Sequence, residues 1–310
     1  MDLSLSHEPL TNLFSDIAPH TATVDVDEFE RSGFVTDVPL LSENQLAVLR
    51  EALDDLMTKN ADDPLFYEYH SNESNDDGNR LLHALGAWRI SPAFHDLIFY
   101  RPIIEIAEQL LGGAVRFWHD QVFVKPAHDG AVVAWHQDYS YWTRTVPLAH
   151  LTCWIGLDDS DKENGCVQYV PGSHHWHLLP RGDLANDMTA VLQHLNAEQK
   201  DAFHPVPAIL KAGEASFHHP MTVHGSYENR SDRPRRGIVL NFMRDGVRSN
   251  TNEPLLAGIP VIPMGHKLEG QFSVAFRRRI IYQPIPIAVR HKYGVNLRHV
   301  ESKFNRGDLL

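Results

Sequence analysis

The pattern of hydrophobic and polar positions divides the chain into a helical part and a strand-rich part. Apolar residues recur at helical spacing over residues 43–57, with Ser42 as a candidate N-cap, and again over residues 91–111, where Pro102 interrupts the pattern and Gly112 ends it. The pattern then changes to short runs rich in Val, Ile, Thr and aromatic residues, separated by Gly, Pro, Asn and Asp. The predicted strands cover residues 114–125, 132–138, 150–157, 167–170, 215–223 and 236–243.

Short strands at this spacing indicate a mainly β fold with flanking helices, a double-stranded β-helix or jelly-roll barrel. We expect one domain over residues 1–310. Its parts are a leader (1–30), a mainly helical N-terminal part (31–113), a jelly-roll core (114–245) and a C-terminal extension (246–310).

Three shorter segments carry separate expectations. Residues 24–26 can add an edge strand, although the leader as a whole is expected to be poorly tied. Residues 67–80 are polar, acidic and contain glycine, which predicts a mobile loop and, in an enzyme, a lid. Residues 183–203 have a helical pattern and are expected to form a surface insert between two strands.

Composition narrows the classes of function. The formal net charge of -12 disfavours binding to nucleic acid or to anionic lipid, because both repel an acidic surface. The N-terminus lacks a basic region followed by an apolar run, and no apolar segment approaches the roughly 20 residues that span a bilayer. Two cysteines, Cys153 and Cys166, fit a reducing compartment, so we expect a cytoplasmic protein that acts on a small molecule. The sequence leaves the oligomeric state open.

A His-x-Asp pair, His136 and Asp138, ends one of the predicted strands. Residues two apart in an extended chain project from the same face, so the imidazole and the carboxylate can share one metal ion. Taken alone the pair is weak, because a chain with 20 histidines is expected to contain about one such pair by chance. The ordinary alternative is a turn that Asp138 caps.

The second half of the pattern lies in residues 215–236, where His224 ends another predicted strand. Two histidines and one carboxylate on one side of an ion leave positions at which iron(II) can bind a chelating co-substrate and dioxygen. His218 has the same strand parity as His224, but six extended residues span roughly 20 Å, so we expect that both cannot bind one ion. His219 is expected to point to the other face.

One such chelating co-substrate is 2-oxoglutarate. When it binds a metal through its oxo group and the adjacent carboxylate, a second carboxylate remains at its far end. A guanidinium suits that carboxylate because its planar fork pairs with two oxygens and stays charged when buried. Arg235 is the candidate, with Ser226 as a hydroxyl donor. Considered separately, such residues are more often a solvated arginine and a turn serine.

The order of motifs resembles the phytanoyl-CoA dioxygenase (PhyH) family. The resemblance covers residues 115–245 well, the N-terminal part loosely and the last sixty residues poorly. The motifs are Trp135-His136-Gln137-Asp138, Asn164-Gly165-Cys166, Pro171-Gly172-Ser173-His174 and His224-Gly225-Ser226 with the trailing Arg235.

This resemblance implies an enzyme that binds iron(II) and uses 2-oxoglutarate and O2. It implies that the metal ligands are His136, Asp138 and His224, and that 2-oxoglutarate is bound by Arg235, Ser226, Gln121 and Trp154. For the tryptophans the alternative is core packing. Candidates for the substrate pocket are Trp142, Tyr139 and Lys125. No catalytic residue beyond the metal ligands is expected.

The reaction expected from the resemblance is hydroxylation of an unactivated C–H bond of a small or mid-sized metabolite, with release of succinate and CO2. Family members that halogenate have a small residue in place of the carboxylate, so Asp138 disfavours halogenation. Desaturation, epimerisation and cyclisation stay open as outcomes of the same cofactor chemistry. A non-catalytic jelly-roll protein that binds 2-oxoglutarate or a metal is a further alternative, and a zinc hydrolase would leave Arg235 unexplained.

Overall fold

The computed structural model describes residues 3, 6–15, 23–61, 63–71, 81–128, 131–182, 184, 187–270 and 272. Most of the predicted lid, residues 72–80, lies outside the described residues, as does most of the predicted C-terminal extension. In the part of the lid that is described, residues 68–70 form a short strand rather than a loop. No helix in these ranges is long and apolar enough to cross a lipid bilayer.

Six α-helices are present in the described part of the chain, four of them N-terminal to residue 112. They are α1 (Val26–Ser32), α2 (Glu43–Thr58), α3 (Pro92–Leu97), α4 (Arg101–Leu111), α5 (Tyr139–Trp142) and α6 (Ala197–Asp201).

Helix α2 confirms the helix predicted over residues 43–57. The side chain of Ser42 accepts a hydrogen bond from the backbone of Gln45, and the side chain of Gln45 accepts one from the backbone of Ser42, so two N–H groups that a helix start leaves unpaired are satisfied. Residues 98–100 separate the second predicted helix into α3 and α4. Tyr100 is extended, and Pro102 lies in the first turn of α4, where its missing N–H costs no helical hydrogen bond. Gly112 ends α4 with a φ of 65°, as expected.

The described residues form thirteen strands. They are β1 (Phe34–Pro39), β2 (Glu68–His70), β3 (Leu82–Leu85), β4 (Val115–Lys125), β5 (Val133–His136), β6 (Thr145–Val146), β7 (His150–Gly156), β8 (Gln168–Tyr169), β9 (Val206–Pro207), β10 (Glu214–His218), β11 (His224–Ser226), β12 (Arg235–Arg244) and β13 (Arg248–Ser249). All of their pairings are antiparallel.

The strands build two main sheets that face each other. The larger sheet has the order β1-β10-β7-β12-β4-β3-β2, the smaller sheet has the order β5-β11-β8-β9, and β6 pairs with β13 separately. Two facing antiparallel sheets with helices on the outer side of one of them confirm the mainly β jelly-roll prediction.

The larger sheet separates an apolar core from a polar cavity. On β7, Leu151, Cys153 and Ile155 are fully buried in the core that the helices share, whereas Thr152 and Trp154 line the cavity between the sheets. This follows from the two-residue period of a strand, which sends alternate side chains to opposite faces. Strands buried on both faces read as continuous apolar runs, and β7 therefore gives little alternation in the sequence.

The edge strand expected at residues 24–26 is wrong, because helix α1 begins there. The Asp25 side chain accepts a hydrogen bond from the backbone N–H of Glu28 and caps the helix, and this outweighs the strand preference of the two valines. The edge of the larger sheet is formed by β1 instead.

The insert predicted over residues 183–203 is less helical than expected. Its described residues form a 3₁₀ turn at residues 190–194 and the five-residue α6. Val191 and Leu195 pack with Trp135 of β5, so the insert covers the outer face of the smaller sheet.

Candidate metal centre and cavity

Strand pairing brings His136 and His224 together. His136 ends β5, His224 begins β11, and the two residues are direct antiparallel partners in the smaller sheet. Their ring centroids lie 4.2 Å apart. Directly opposed residues of an antiparallel pair project from the same face, so both imidazoles face the cavity.

The two imidazoles present the same nitrogen to the cavity. Nδ1 of His136 lies 2.8 Å from the carbonyl oxygen of Ala134, and Nδ1 of His224 lies 3.0 Å from the carbonyl oxygen of Thr222. A carbonyl oxygen only accepts, so each Nδ1 carries the hydrogen and each Nε2 carries the lone pair. Burial, together with the neighbouring His136 and His218, holds the pKa of His224 well below its usual value, so this imidazole is in the neutral form that binds a metal.

Asp138 completes a group of three ligand atoms that all lie within 4.8 Å of one another. Its Oδ1 is 3.4 Å from Nε2 of His136 and 3.6 Å from Nε2 of His224. Burial acts to raise the pKa of Asp138, but His224, His136 and His218 outweigh it and hold the pKa well below the usual range. Two neutral nitrogens and one anionic oxygen are the donor set of a facial triad that leaves positions open at iron(II).

His218 is much closer to the centre than the sequence suggested. Its ring centroid lies 4.3 Å from that of His224, and its Nε2 lies 3.0 Å from Oδ2 of Asp138. The expected separation of roughly 20 Å is wrong because residues 219–223 form a turn, so β10 and β11 are two strands and not one. His218 still lies outside the group of three ligand atoms.

The three ligands face a cavity of about 660 Å³ between the two sheets. Several lining residues were expected from the sequence; these are Gln121, Trp142, Trp154, Ser226 and Arg235. Glu68, from the described part of the predicted lid, also lines the cavity. Other lining residues were not expected; these include Trp118, His119, Arg144, Thr152, Arg181, His218, Val239, Glu253 and Leu255.

Arg235 is buried at the cavity wall without a hydrogen-bond partner for its Nε or Nη2. Only 2% of the residue is exposed, and its Cζ lies 5.4 Å from the centre of the Trp154 ring. Burial lowers the pKa of Arg235 to about 10, which leaves the guanidinium charged at neutral pH. A buried, unpaired cation is energetically costly, so we expect Arg235 to bind an anion in the cavity. The adjacent Arg236 binds both oxygens of Asp158 instead.

Ser226 is held by Lys125, which does not face the cavity. The Lys125 amine is fully buried and donates to Oγ of Ser226 at 2.8 Å and to the backbone oxygens of Ser226 and Tyr227. Because Oγ of Ser226 accepts from the amine, its own hydrogen is available to an acceptor in the cavity. The structure therefore places Lys125 behind the wall, contrary to its expected pocket position.

Gln121 and Trp154 are both cross-strand neighbours of Val239 on the larger sheet, and Trp154 also contacts Arg235. Oε1 of Gln121 lies 2.8 Å from Nε2 of His83, which stacks on Phe123. Trp154 lies flat against Gly237 of the neighbouring strand, where a β-carbon would come within 2.5 Å of the indole ring. Glycine is required at this position by the close approach of the ring.

The aromatic residues after the metal pair divide between wall and core. Trp142 lines the cavity as expected and packs edge to face with His119 at 5.7 Å. Tyr139 is not among the lining residues, because its hydroxyl turns away to donate to the backbone oxygen of Thr145 at 2.7 Å. Tyr141 takes the expected place of Tyr139 and lies 5.9 Å from the His136 ring.

A β-bulge explains why Trp118 and His119 both line the cavity. The register between β12 and β4 shifts between Asn241 and Phe242, which leaves Trp118 as an extra residue on β4. Bulges of this kind redirect side chains next to binding sites. A two-residue period places only one of two consecutive residues in the cavity, so strand periodicity alone does not predict that both residues line it.

Comparisons with known proteins agree with this site. The phytanoyl-CoA dioxygenase (PhyH) family matches residues 29–237. Ectoine dioxygenase of Bordetella parapertussis is 26% identical over 244 residues, covering 74% of this chain and 77% of that protein. L-proline trans-4-hydroxylase of Streptomyces griseoviridis is 29% identical over 159 residues, covering 46% of this chain, which thus spans only 59% of the hydroxylase.

A solved structure shows the same architecture. The non-heme alpha ketoglutarate dependent epimerase SnoN from nogalamycin biosynthesis superposes with a TM-score of 0.65 at 25% identity, over 81% of this chain and 97% of the epimerase. The family match covers more than half of the sequence and includes all three ligand positions and Arg235. The chain therefore belongs to the phytanoyl-CoA dioxygenase (PhyH) family, whose members are iron(II)- and 2-oxoglutarate-dependent oxygenases.

Proposed function

We propose that the protein is an iron(II)- and 2-oxoglutarate-dependent dioxygenase that hydroxylates an unactivated C–H bond of a small or mid-sized metabolite. Bound iron(II) supplies the oxidising chemistry, in which substrate, 2-oxoglutarate and O2 give hydroxylated product, succinate and CO2. His136, Asp138 and His224 would hold the iron. The protein itself positions the two organic molecules and excludes water from the reacting carbon.

The observation that carries this proposal is the buried, unpaired Arg235 in the same cavity as the three ligands. A dicarboxylate that chelates the metal at one end offers this guanidinium the second carboxylate that it lacks. Two hydrogen bonds from a fork-shaped cation to a carboxylate are stronger than neutral bonds and fix the orientation of the bound molecule. The hydroxyl of Ser226 would donate to the same carboxylate, while Trp154 packs against it and Gln121 borders the pocket.

The remainder of the cavity supports a polar metabolite as the substrate. Arg181 lines the cavity, is solvent-exposed and lies 4.8 Å from the centre of the Tyr141 ring, so its guanidinium can pair with an acidic group of the substrate. Arg144, by contrast, donates to the backbone oxygens of Pro254 and Leu255.

The relatives named for proline and for ectoine point to small polar substrates for those proteins. A cavity of about 660 Å³ holds 2-oxoglutarate together with a molecule of that size.

Desaturation, epimerisation and cyclisation would use the same site. The structural relatives include an epimerase and a carbocyclase, so the outcome of the reaction must be read from the product. Hydroxylation adds one oxygen atom, desaturation or cyclisation removes two hydrogens, and epimerisation leaves the mass unchanged.

The test is turnover of 2-oxoglutarate with a panel of polar metabolites under ¹⁸O2. Protein loaded with iron(II) is incubated with amino acids, cyclic amino-acid derivatives and other carboxylates, and succinate and product mass are measured. We expect at least one compound to stimulate succinate formation and to gain one labelled oxygen atom. Succinate formation that is no faster than in the Asp138→Ala variant would contradict the enzyme assignment. A product without added oxygen would contradict hydroxylation but not the enzyme assignment.

We further propose a cytoplasmic location, which the two buried free thiols support. We also propose that the protein has no nucleic-acid partner, which the acidic net charge supports. Fractionation of cells that express the chain checks the location.

A further inference from the structure

The two oxygens of Asp138 have different neighbours. Oδ1 faces the Nε2 atoms of His136 and His224. Oδ2 lies behind it, 2.6 Å from Oγ1 of Thr152 and 3.0 Å from Nε2 of His218. A carboxylate with one oxygen fully engaged by hydrogen bonds has a single oxygen left for a metal.

The hydrogen bonds behind Asp138 have a defined direction. A carboxylate only accepts, so Nε2 of His218 carries a hydrogen. A neutral imidazole carries only one hydrogen, and a doubly protonated, positively charged His218 would be unfavourable beside a divalent ion. Nδ1 of His218 therefore accepts from the Tyr169 hydroxyl, 3.1 Å away. The Tyr169 oxygen then accepts from Oγ of Ser216, 2.7 Å away. Ser216, Tyr169 and His218 therefore form a chain of donors that ends at Oδ2.

This chain is rigid because it joins the two sheets. Ser216 and His218 are two residues apart on β10 of the larger sheet, while Tyr169 lies on β8 of the smaller sheet. At most 2% of any of the three residues is exposed. Tyr169 is further fixed by stacking on Phe34 at 4.6 Å. Buried networks in which every member is paired hold their groups in one arrangement.

We propose that His218 is a positioning residue that holds Oδ2 of Asp138 and so makes the carboxylate bind the metal through Oδ1 alone. The inference rests on the proposed metal site but not on the identity of the substrate. Without the His218 donor the carboxylate can rotate about its last bond and offer both oxygens to the ion. That second oxygen would occupy a position that a chelating co-substrate and dioxygen need.

The size of the expected effect follows from other metal sites. Removing a hydrogen-bond partner of a ligand lowers metal affinity by about 10- to 100-fold. Thr152 remains as a second donor to Oδ2, so we expect the lower half of this range.

The test uses anaerobic Mn(II) binding and the visible spectrum of the Co(II)-loaded protein, neither of which depends on turnover. In His218→Phe, which keeps a planar ring and removes the donor, we expect Mn(II) affinity to fall about 10- to 30-fold and the Co(II) bands to change. His218→Gln can place an amide N–H near the position of Nε2, and we expect it to restore both properties. His95→Phe replaces a fully buried histidine that binds Asp96, far along the chain from the metal ligands, and we expect no change.

Wild-type Mn(II) affinity and unaltered Co(II) bands in a folded His218→Phe variant would overturn the proposal and leave His218 as packing. If that variant does not fold, Tyr169→Phe takes its place, since it keeps the His218 ring and removes the donor to Nδ1 together with the acceptor of Ser216. There we expect an affinity loss of about threefold, and an unchanged affinity overturns the proposal. Failure of the wild-type protein to bind 2-oxoglutarate would contradict the proposed function while leaving this result on Asp138 intact.

Discussion

Arg235 begins strand β12 and lies across the ring of Trp154 on strand β7, with 5.4 Å between its Cζ and the ring centre. The ring supports the guanidinium from one side, and Asp158 is occupied by Arg236. Arg235 is therefore pre-positioned before any ligand binds. A pre-positioned group loses little freedom on binding, which raises the affinity of its ligand.

Replacing Arg235 should separate co-substrate binding from metal binding. In Arg235→Met we expect 2-oxoglutarate affinity to fall about 10- to 100-fold, because hydrogen bonds to a charged group are lost, while Mn(II) affinity is retained. Thermal stability of the metal-free variant should equal or exceed that of the wild type, since an unpaired buried charge is removed. Calorimetric titration and thermal denaturation check both. Arg236→Met is the matched control, and a loss of 2-oxoglutarate affinity in that variant alone would move the assignment to Arg236.

Replacing Lys125 should lower the stability of the fold and, through Ser226, weaken the binding of 2-oxoglutarate. Lys125→Met leaves the backbone oxygens of Ser226 and Tyr227 without their donor, so we expect the free energy of unfolding to fall by roughly 3 kcal/mol. The KM for 2-oxoglutarate should rise because Ser226 loses its support. Urea denaturation and kinetics provide the measurements. The exposed Lys200→Met should change neither, and equal behaviour of the two variants would contradict the structural role.

Gly237 should control the position of Trp154. A β-carbon in Gly237→Ala would come within 2.5 Å of the indole, so the ring must move and 2-oxoglutarate should bind more weakly. A smaller ring relieves this clash, so we expect the double variant Gly237→Ala, Trp154→Phe to bind better than the sum of the single effects predicts. Strictly additive losses in the binding titration would show that the two residues act separately.

The stability of the metal-free protein should fall between pH 6.5 and about 4. Burial lowers the pKa of His119 and His219 to about 4 and that of His150 to about 3. The unfolded chain then binds protons in this window that the folded chain does not, so the free energy of unfolding decreases as the pH falls. Asp120, whose pKa burial raises to about 7, opposes this trend by one proton.

Replacing one of these histidines isolates its share. We measure the free energy of unfolding of His150→Phe by urea denaturation at several pH values in this window. Its slope against pH should correspond to about one proton fewer than in the wild type, whatever the absolute stability of the variant. The exposed His128→Phe is the control. An unchanged slope in His150→Phe would contradict the burial of a neutral imidazole at this position.

Sequence patterns predicted the parts of the site that depend on strand periodicity. The two-residue spacing predicted that His136 and Asp138 meet, although Asp138 lies two residues beyond the end of β5, in helical conformation at the start of α5. His224 joins them because β5 and β11 pair. The chemistry of a buried carboxylate partner singled out Arg235 among several nearby arginines. These inferences need only local geometry and the properties of single side chains.

Other features depend on where the chain turns, which periodicity does not reveal. A turn after His218 reverses the chain and brings that ring to Asp138, whereas a continuous strand would carry it away. The bulge at Trp118 adds a residue to the cavity wall. Lys125 was a pocket candidate from the sequence, and only the three-dimensional structure shows its amine turned towards Ser226.

Anaerobic titration of the protein with iron(II) and 2-oxoglutarate, followed by visible absorption, tests the proposed site most directly. Chelation of iron by the keto acid produces a weak charge-transfer band, and we expect this band in the wild type and in Arg236→Met. We expect no band in His224→Ala or Asp138→Ala, and a band only at higher 2-oxoglutarate concentration in Arg235→Met. A wild-type protein that binds iron(II) but develops no band, or a band that persists without His224 and Asp138, would contradict the assignment of this site.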